Sequence, residues 1–561
     1  MARDESAPDV AAPLDQLLSQ AALGPSRRLL PGRSGLKFLR ALASRPELLL
    51  ARTGDLVAEL GRIAIGSSSV EPSPRDRRFS DPAWTANPLL RRLVQAYLTT
   101  GNTVEGLVQD IPLEWQDAER LKFATDNLVQ MLAPSNNPLV SPLAWKAVID
   151  TGGASLIRGP RNLISDLASP PRVPSMVDPD AFIVGTDLAA TPGEVVLRTP
   201  QLELIQYRPQ TGKVREVPLL IIPPTINKYY VLDLAPGRSL VEYLVGQGQQ
   251  VFVLSWRNPD ARHSKWGFDT YCQAVLDAFD AVDEITGVGA AHIVAACSGG
   301  LLAAITAAHR AGSGNLERLA SLSLLVTMID QETSGTVGAI LDEAVAEKAV
   351  AKSRSKGYLD GRSLAEVFAW LRPGDLIWNY WVNNYLQGAR PAKFDILFWN
   401  ADTTRMTATL HRDFVDVALH NRLVHPGSLT VLGTEIDLST IPVDSYVVAG
   451  SADHICPWEN CYRSSQLLGG KVRFVLSTNG HIAALVNPPT NKKSSYQVSD
   501  DNTPTAEDWR RETPTVHGSW WSDYAQWLKD RSGKEKPAPT ELGSHRHPPI
   551  EAAPGSYVLD R

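Results

Sequence analysis

HIVAACSGGLLAAITAAHR, residues 292–310, sets a short apolar run, a cluster of very small residues and an Ala-rich run in immediate succession. The composition predicts a buried strand, a sharp turn and a helix, with Cys297 at the apex of the turn. A nucleophile raised onto a strained strand-to-helix turn needs small neighbours. Ala295 and Gly299 occupy the two places where a G-x-S-x-G pattern carries glycine. Ala295 takes up some of the room under the turn, but it is small enough to keep the reading.

Outward from this turn the chain alternates. The runs EVVLRT, LELIQY, VPLLIIPP, QVFVLSW, HIVAA, LASLSLLVT, DSYVVAG and KVRFVLS read as strands, and several are separated by helical patterns. One such pattern is DTYCQAVLDAFDAVDEITG, where Tyr271, Val275, Leu276, Phe279 and Val282 share a face. This predicts an α/β fold with a mostly parallel sheet. The alternation lapses over about residues 329–427, a Trp-rich helical interval expected to form a cap over the site. From about Leu14 to Gly153, DQLLSQAAL, GLKFLRALASRPELLLARTGDLVAELGRIA, NPLLRRLVQAYLTTGNTVEGLVQ and EWQDAERLKFATDNLVQML carry apolar residues at helical spacing. The expected organisation is a helical N-terminal domain over 1–177, a catalytic domain over 178–533 with its cap insertion, and a Pro-rich extended tail over 534–561.

Composition narrows the function. Among 561 residues, 55 Lys+Arg stand against 61 Asp+Glu, and the net charge of −6 argues against bulk nucleic-acid binding. A content of 43% hydrophobic and 21% charged residues is that of a globular chain. No apolar stretch reaches the roughly 18 residues that would span a bilayer. The opening MARDESAPDVAAP lacks the apolar segment of a signal peptide. The four cysteines are too few for a disulfide scaffold, and Cys456 with Cys461 lacks zinc-ligand spacing. The expectation is a cytoplasmic chain without a transmembrane segment, a metal or a cofactor.

Two further strand ends supply partners for Cys297. DSYVVAG runs into Ser451-Ala452-Asp453, and KVRFVLS runs into Thr478-Asn479-Gly480-His481. Nucleophile, acid and histidine in that chain order, each after a strand, are the α/β-hydrolase arrangement. His454, directly after the acid, is given a supporting role at most. An oxyanion hole in this topology uses the backbone N–H after the nucleophile, that of Ser298, and one from the loop after an earlier strand. In the loop Pro224-Thr225-Ile226-Asn227-Lys228 the choice falls on Ile226.

The thiol itself is informative. Exchange of one thioester for another is nearly balanced, so a cysteine suits an enzyme that takes an acyl group from a thioester carrier and passes it to an acceptor. His481 would take the thiol proton and Asp453 would orient the ring. Hydrolysis of esters or thioesters on the same fold is the alternative, and a non-catalytic scaffold role with amphipathic N-terminal helices as the active surface is a second one.

The residues resemble a family, the polyhydroxyalkanoate synthases. The resemblance rests on 223–259 (PPTINKYYVLDLAPGRSLVEYLVGQGQQVFVLSWRNP), 295–300 (AACSGG), 380–405 (YWVNNYLQGARPAKFDILFWNADTTR), 449–458 (AGSADHICPW), 477–489 (STNGHIAALVNPP) and 518–521 (GSWW), in the expected order. The elbow departs from the family pattern only in carrying Ala295 for the usual first glycine. The resemblance implies an α/β-hydrolase fold and polymerisation of (R)-3-hydroxyacyl-CoA into polyester with release of CoA. It implies that Cys297 carries the growing chain, that His481 activates it and that Asp453 is the acidic partner. It also implies a homodimer associated with the surface of polyester storage granules. The single long chain and the ending AAPGSYVLDR look most like the one-subunit synthases, medium-chain (class II) or class I. Arg257 and Lys228 are considered for the CoA phosphates, beside a structural salt bridge, and Trp370, Trp378, Trp381 and Trp399 for an apolar passage, beside plain core packing.

Overall fold

The computed structural model describes residues 32–74, 76–168, 170–332, 343–371, 373–453 and 455–561. DQLLSQAAL, at 15–23, lies outside them. Helices α1 (Gly32–Ala43), α2 (Pro46–Ile65), α3 (Pro88–Asp110) and α4 (Trp115–Met131) follow the periodic stretches, and α5 (Pro142–Asp150) and α6 (Ser155–Ala168) come after them. The long pattern over 35–64 breaks between α1 and α2 because a residue before proline disfavours helical backbone and Pro46 itself suits a first turn. At the start of α3 the Asn87 side chain accepts from the Leu89 and Leu90 N–H groups, and Pro88 takes the first position.

Residues 193–552 contribute one eleven-stranded sheet. In chain order the strands are β1 (Gly193–Arg198), β2 (Leu202–Tyr207), β3 (Leu219–Ile222), β4 (Val251–Trp256), β5 (Ala291–Ala296), β6 (Leu319–Leu325), β7 (Ser445–Gly450), β8 (Val472–Ser477), β9 (Ser495–Ser499), β10 (Thr515–His517) and β11 (Glu551–Ala552). They lie in the order β10-β9-β8-β7-β6-β5-β3-β4-β2-β1-β11. The six from β8 to β4 run parallel, and the strands on either flank are antiparallel. Side chains alternate between two cores. Leu220, Phe252, Ile293, Leu324 and Val447 face one layer, and Ile221, Val253, Val294, Leu325 and Val448 face the other. Burial on both faces explains why these runs read as continuously apolar. Helices Phe268–Thr286 and Ser298–Gly312 cover the first layer, and Trp520–Lys529 covers the second.

The sheet continues past the two strands expected to close it. β9 and β10 are short and polar at the edge, so they lack the apolar alternation that exposes a strand in sequence. The C-terminal tail is bound rather than free. Glu535–Pro537 pairs with Lys213–Arg215, Glu551–Ala552 extends the sheet beside β1, and Tyr557 and Val558 are buried.

Between β6 and β7 the described residues form mainly helices Glu343–Lys356, Gly361–Leu371, Asp395–Ala401 and Ala408–His420 and two π-helical turns, Gly374–Trp378 and Trp381–Leu386. The N-terminal segment is fastened to them. Tyr385 Oη donates to Asp166 (2.7 Å), Asn162 donates to the Asn384 carbonyl (3.0 Å), and Gly159 in α6 lies so close to the Tyr385 carbonyl that no side chain fits there. Trp370, Trp378 and Trp381 pack with Met131, Val173 and Met176, and Trp399 donates to the Lys228 carbonyl (2.7 Å). All four tryptophans are thus engaged in packing between segments. Among the described residues no helix is long and apolar enough to cross a membrane.

Candidate active site

Cys297 stands between β5 and the helix Ser298–Gly312 with φ 54° and ψ −125°, a backbone region that costs a non-glycine residue of order 1–3 kcal/mol. The surroundings impose it. Its N–H donates to Leu325 on the neighbouring strand (3.0 Å), and the Gly300 N–H closes back onto its carbonyl (2.9 Å). A side chain on Gly299 would strike the Pro223 carbonyl, and one on Gly300 would strike Thr327. Glycine at both places lets the helix start directly beneath the turn.

The acid and the base arrive from the ends of β7 and β8, which are paired neighbours. Asp453 Oδ1 accepts the N–H groups of Ile455 (2.7 Å) and Cys456 (2.9 Å), which turns Oδ2 to His481 Nδ1 at 2.7 Å. Gly450, at the end of β7, leaves the space through which the Asn479 carbonyl passes on the way to His481. Cys297, Asp453 and His481 are 7%, 6% and 4% exposed, so the group is shielded from bulk water. Burial by itself pushes the His481 ring down. The Asp453 carboxylate and then the Cys297 side chain overcome this and hold the ring up at about 10. A proton on this ring is therefore held between sulfur and carboxylate.

Ser298 has a second attachment that sequence reading missed. Its hydroxyl accepts the Thr225 N–H (3.0 Å) and lies 3.1 Å from Thr225 Oγ1, fully buried. The bond fastens the loop Pro224–Lys228 to the elbow and uses the Thr225 amide, so the next amide along is that of the buried Ile226. The Ser298 N–H begins its helix, where amides have no intrahelical partner. His454 lies outside the described residues.

Two expectations are corrected. Lys228 is 3% exposed and donates to the carbonyls of Tyr557 (3.4 Å) and Asp560, while Arg257 donates to the Pro200 carbonyl (2.6 Å) and to Tyr557 Oη, with its guanidinium 4.0 Å over that ring. Both cations hold the C-terminal residues and are not presented to a phosphate. Cys456, unassigned in sequence, lies in the site: its Sγ, the Asp453 carboxylate and a His481 nitrogen all fall within 4.8 Å of one another. It sits three residues beyond Asp453 in a turn that bends back on itself. No spacing rule would have found it.

Fold and site define an acyl-transfer or hydrolytic α/β-hydrolase chain. Residues 218–488 match the model of the alpha/beta hydrolase fold, and residues 75–244 match that of the poly-beta-hydroxybutyrate polymerase (PhaC) N-terminus. The sequence is 44% identical over 90% of both chains to poly(3-hydroxyalkanoate) polymerase 2 of Ectopseudomonas oleovorans, and 44% identical over the same shares to polymerase 1 of that organism. It is 36% identical to the polymerase subunit PhaC of Cupriavidus necator, over 94% of this chain and 91% of the relative. The chain belongs to the poly(3-hydroxyalkanoate) polymerase family, acyltransferases built on the hydrolase scaffold.

Proposed function

We propose that the chain polymerises (R)-3-hydroxyacyl-CoA into polyester, with the acyl chain held on Cys297 and CoA released. The observation that carries this reading is a thiol, not a hydroxyl, on a forced elbow beside a buried His481–Asp453 pair. His481 takes the Cys297 proton, and the thiolate attacks the thioester carbonyl. The oxyanion that forms is received by the Ser298 and Ile226 N–H groups. Collapse breaks the carbon–sulfur bond to CoA, whose thiolate recovers the proton from His481. In elongation the 3-hydroxyl of a second hydroxyacyl-CoA gives its proton to His481 as its oxygen attacks the Cys297 thioester; the carbon–sulfur bond to Cys297 breaks, and the freed Cys297 thiolate takes the lengthened chain back from CoA by the first exchange. Asp453 holds Nδ1 protonated so that Nε2 faces this traffic.

The chain would work as a homodimer at the granule surface. Supporting this, α5 and α6 leave Trp145, Ile149, Ile157 and Ile164 more than half exposed. The deciding experiment supplies purified protein with 3-hydroxyacyl-CoA and follows both products. Free CoA with insoluble polymer is expected. Free CoA with free 3-hydroxy acid would make the chain a hydrolase.

A further inference from the structure

Among the described residues one group can surround a metal ion: Asp453, Cys456 and His481, all buried. We propose that this is an inhibitory site for a thiophilic divalent cation of the zinc class, with the Cys456 thiolate as the anchoring ligand. The donor set of one sulfur, one imidazole nitrogen and one carboxylate oxygen is that of zinc, and it leaves a fourth position for water.

The geometry is close to what such an ion needs. Ligand atoms around a tetrahedral zinc lie about 3.4–3.6 Å apart, from metal–ligand lengths of about 2.0–2.3 Å. Here the three atoms lie within 4.8 Å of one another, and the 2.7 Å bond between His481 Nδ1 and Asp453 Oδ2 must open to admit an ion between them. The support behind the ligands is already present. Asp453 Oδ1 is held by two backbone amides, so Oδ2 is free to exchange the imidazole for an ion without the carboxylate turning. The Cys456 thiol donates to the Val326 carbonyl (3.0 Å), a bond it gives up when its sulfur turns to the ion.

Seating the ion releases the proton of the Cys456 thiol and that of His481 Nδ1 to solvent, because each ligand atom must be deprotonated to bind. The consequence for turnover is direct. An ion seated between Asp453 and His481 removes the hydrogen bond that orients the ring, and neither the thiol of Cys297 nor an incoming hydroxyl can then pass a proton to it. Cys297 is not a ligand in this arrangement, which separates it from simple capture of an ion by the nucleophile and its histidine.

The test uses the full chain, freed of metal by dialysis and titrated with Co2+ alone. A near-ultraviolet thiolate-to-cobalt band is expected in the wild type and in Cys297→Ala, and it should be absent from Cys456→Ala and Cys456→Val. Zinc should inhibit the wild type at concentrations at least ~10-fold below those needed for either Cys456 variant, since even outer-shell changes weaken metal sites by that much. Circular dichroism of the two Cys456 variants establishes that they are folded. If Ala disturbs the core, Val keeps the volume. Loss of the band in Cys297→Ala with retention in Cys456→Ala would overturn the proposal, as would the absence of any band from the wild type. The optical reading does not depend on the polymerase mechanism, so a failure of that reading would leave the cobalt result standing.

Discussion

Asp453→Asn should separate loading of the enzyme from elongation. In the wild type Oδ1 faces two N–H donors and Oδ2 faces His481 Nδ1. The asparagine amide oxygen must take over the first task, because an –NH2 there would meet two donors. Its –NH2 group then points at Nδ1 and drives the ring proton to Nε2, the wrong nitrogen. The electrostatic loss is large. The gap between an ordinary histidine near 6.5 and about 10 corresponds to about 5 kcal/mol of preference for the protonated ring, and Asp453 is its leading source. The same substitution in a Ser-His-Asp triad costs about 10⁴ in kcat. Thiolate formation asks less of a base than this, since an ordinary thiol is about one-tenth ionised at pH 7.5, whereas an alcohol is not ionised at all. We expect loading to slow about 10-fold and elongation by ~10³-fold or more. Rapid quench followed by intact-protein mass spectrometry after mixing with 3-hydroxyacyl-CoA reads both, as mass added in 3-hydroxyacyl steps. The expected record is short oligomers held on Asp453→Asn protein. An unmodified variant, over times that fully load the wild type, would refute the separation and leave Asp453 as an orienter needed equally for both steps.

Cys297→Ala should release no CoA and take up no acyl mass, whereas Cys272→Ala and Cys461→Ala should keep substantial turnover; turnover in Cys297→Ala with loss in either of the others would displace the nucleophile assignment. Ser298→Ala should lower kcat by ~10-fold with little change in KM, because the loop bearing Ile226 loses its anchor, and Ser298→Thr should recover part of the loss; an equal rise in KM would point to general misfolding instead. The His481 ring titrates higher when folded than when unfolded, so the stability its partners provide is complete below about pH 6.5 and is lost as pH rises through about 10. Denaturant midpoints of wild type should converge on those of His481→Gln across that window, and parallel profiles would contradict the pairing. Removing residues 556–561 should cost about 3–5 kcal/mol in urea unfolding, from two buried side chains and the carbonyls that Lys228 holds; an unchanged midpoint would mean the tail is not docked.

Local sequence determined the elbow. A buried strand must be apolar, a strained turn must be flanked by small residues, and a helix beneath it must be compact, so 292–310 could be read with no knowledge of the rest. The parallel strands were legible for the same reason, since burial on both faces leaves an unbroken apolar run. The pairing of Asp453 with His481 was legible as order along the chain, and its geometry followed once β7 and β8 lay side by side. What only tertiary structure decided depends on contacts between distant segments, which leave no periodic mark. Polar edge strands β9 and β10 are specified by their neighbour's free backbone and not by their own side chains. Lys228 and Arg257 look like phosphate ligands until the last residues of the chain fold back over them. The Ser298–Thr225 bond and the place of Cys456 beside His481 are of the same kind: a hydroxyl and a thiol take their roles from the loops that close around them, and those loops are positioned by the sheet.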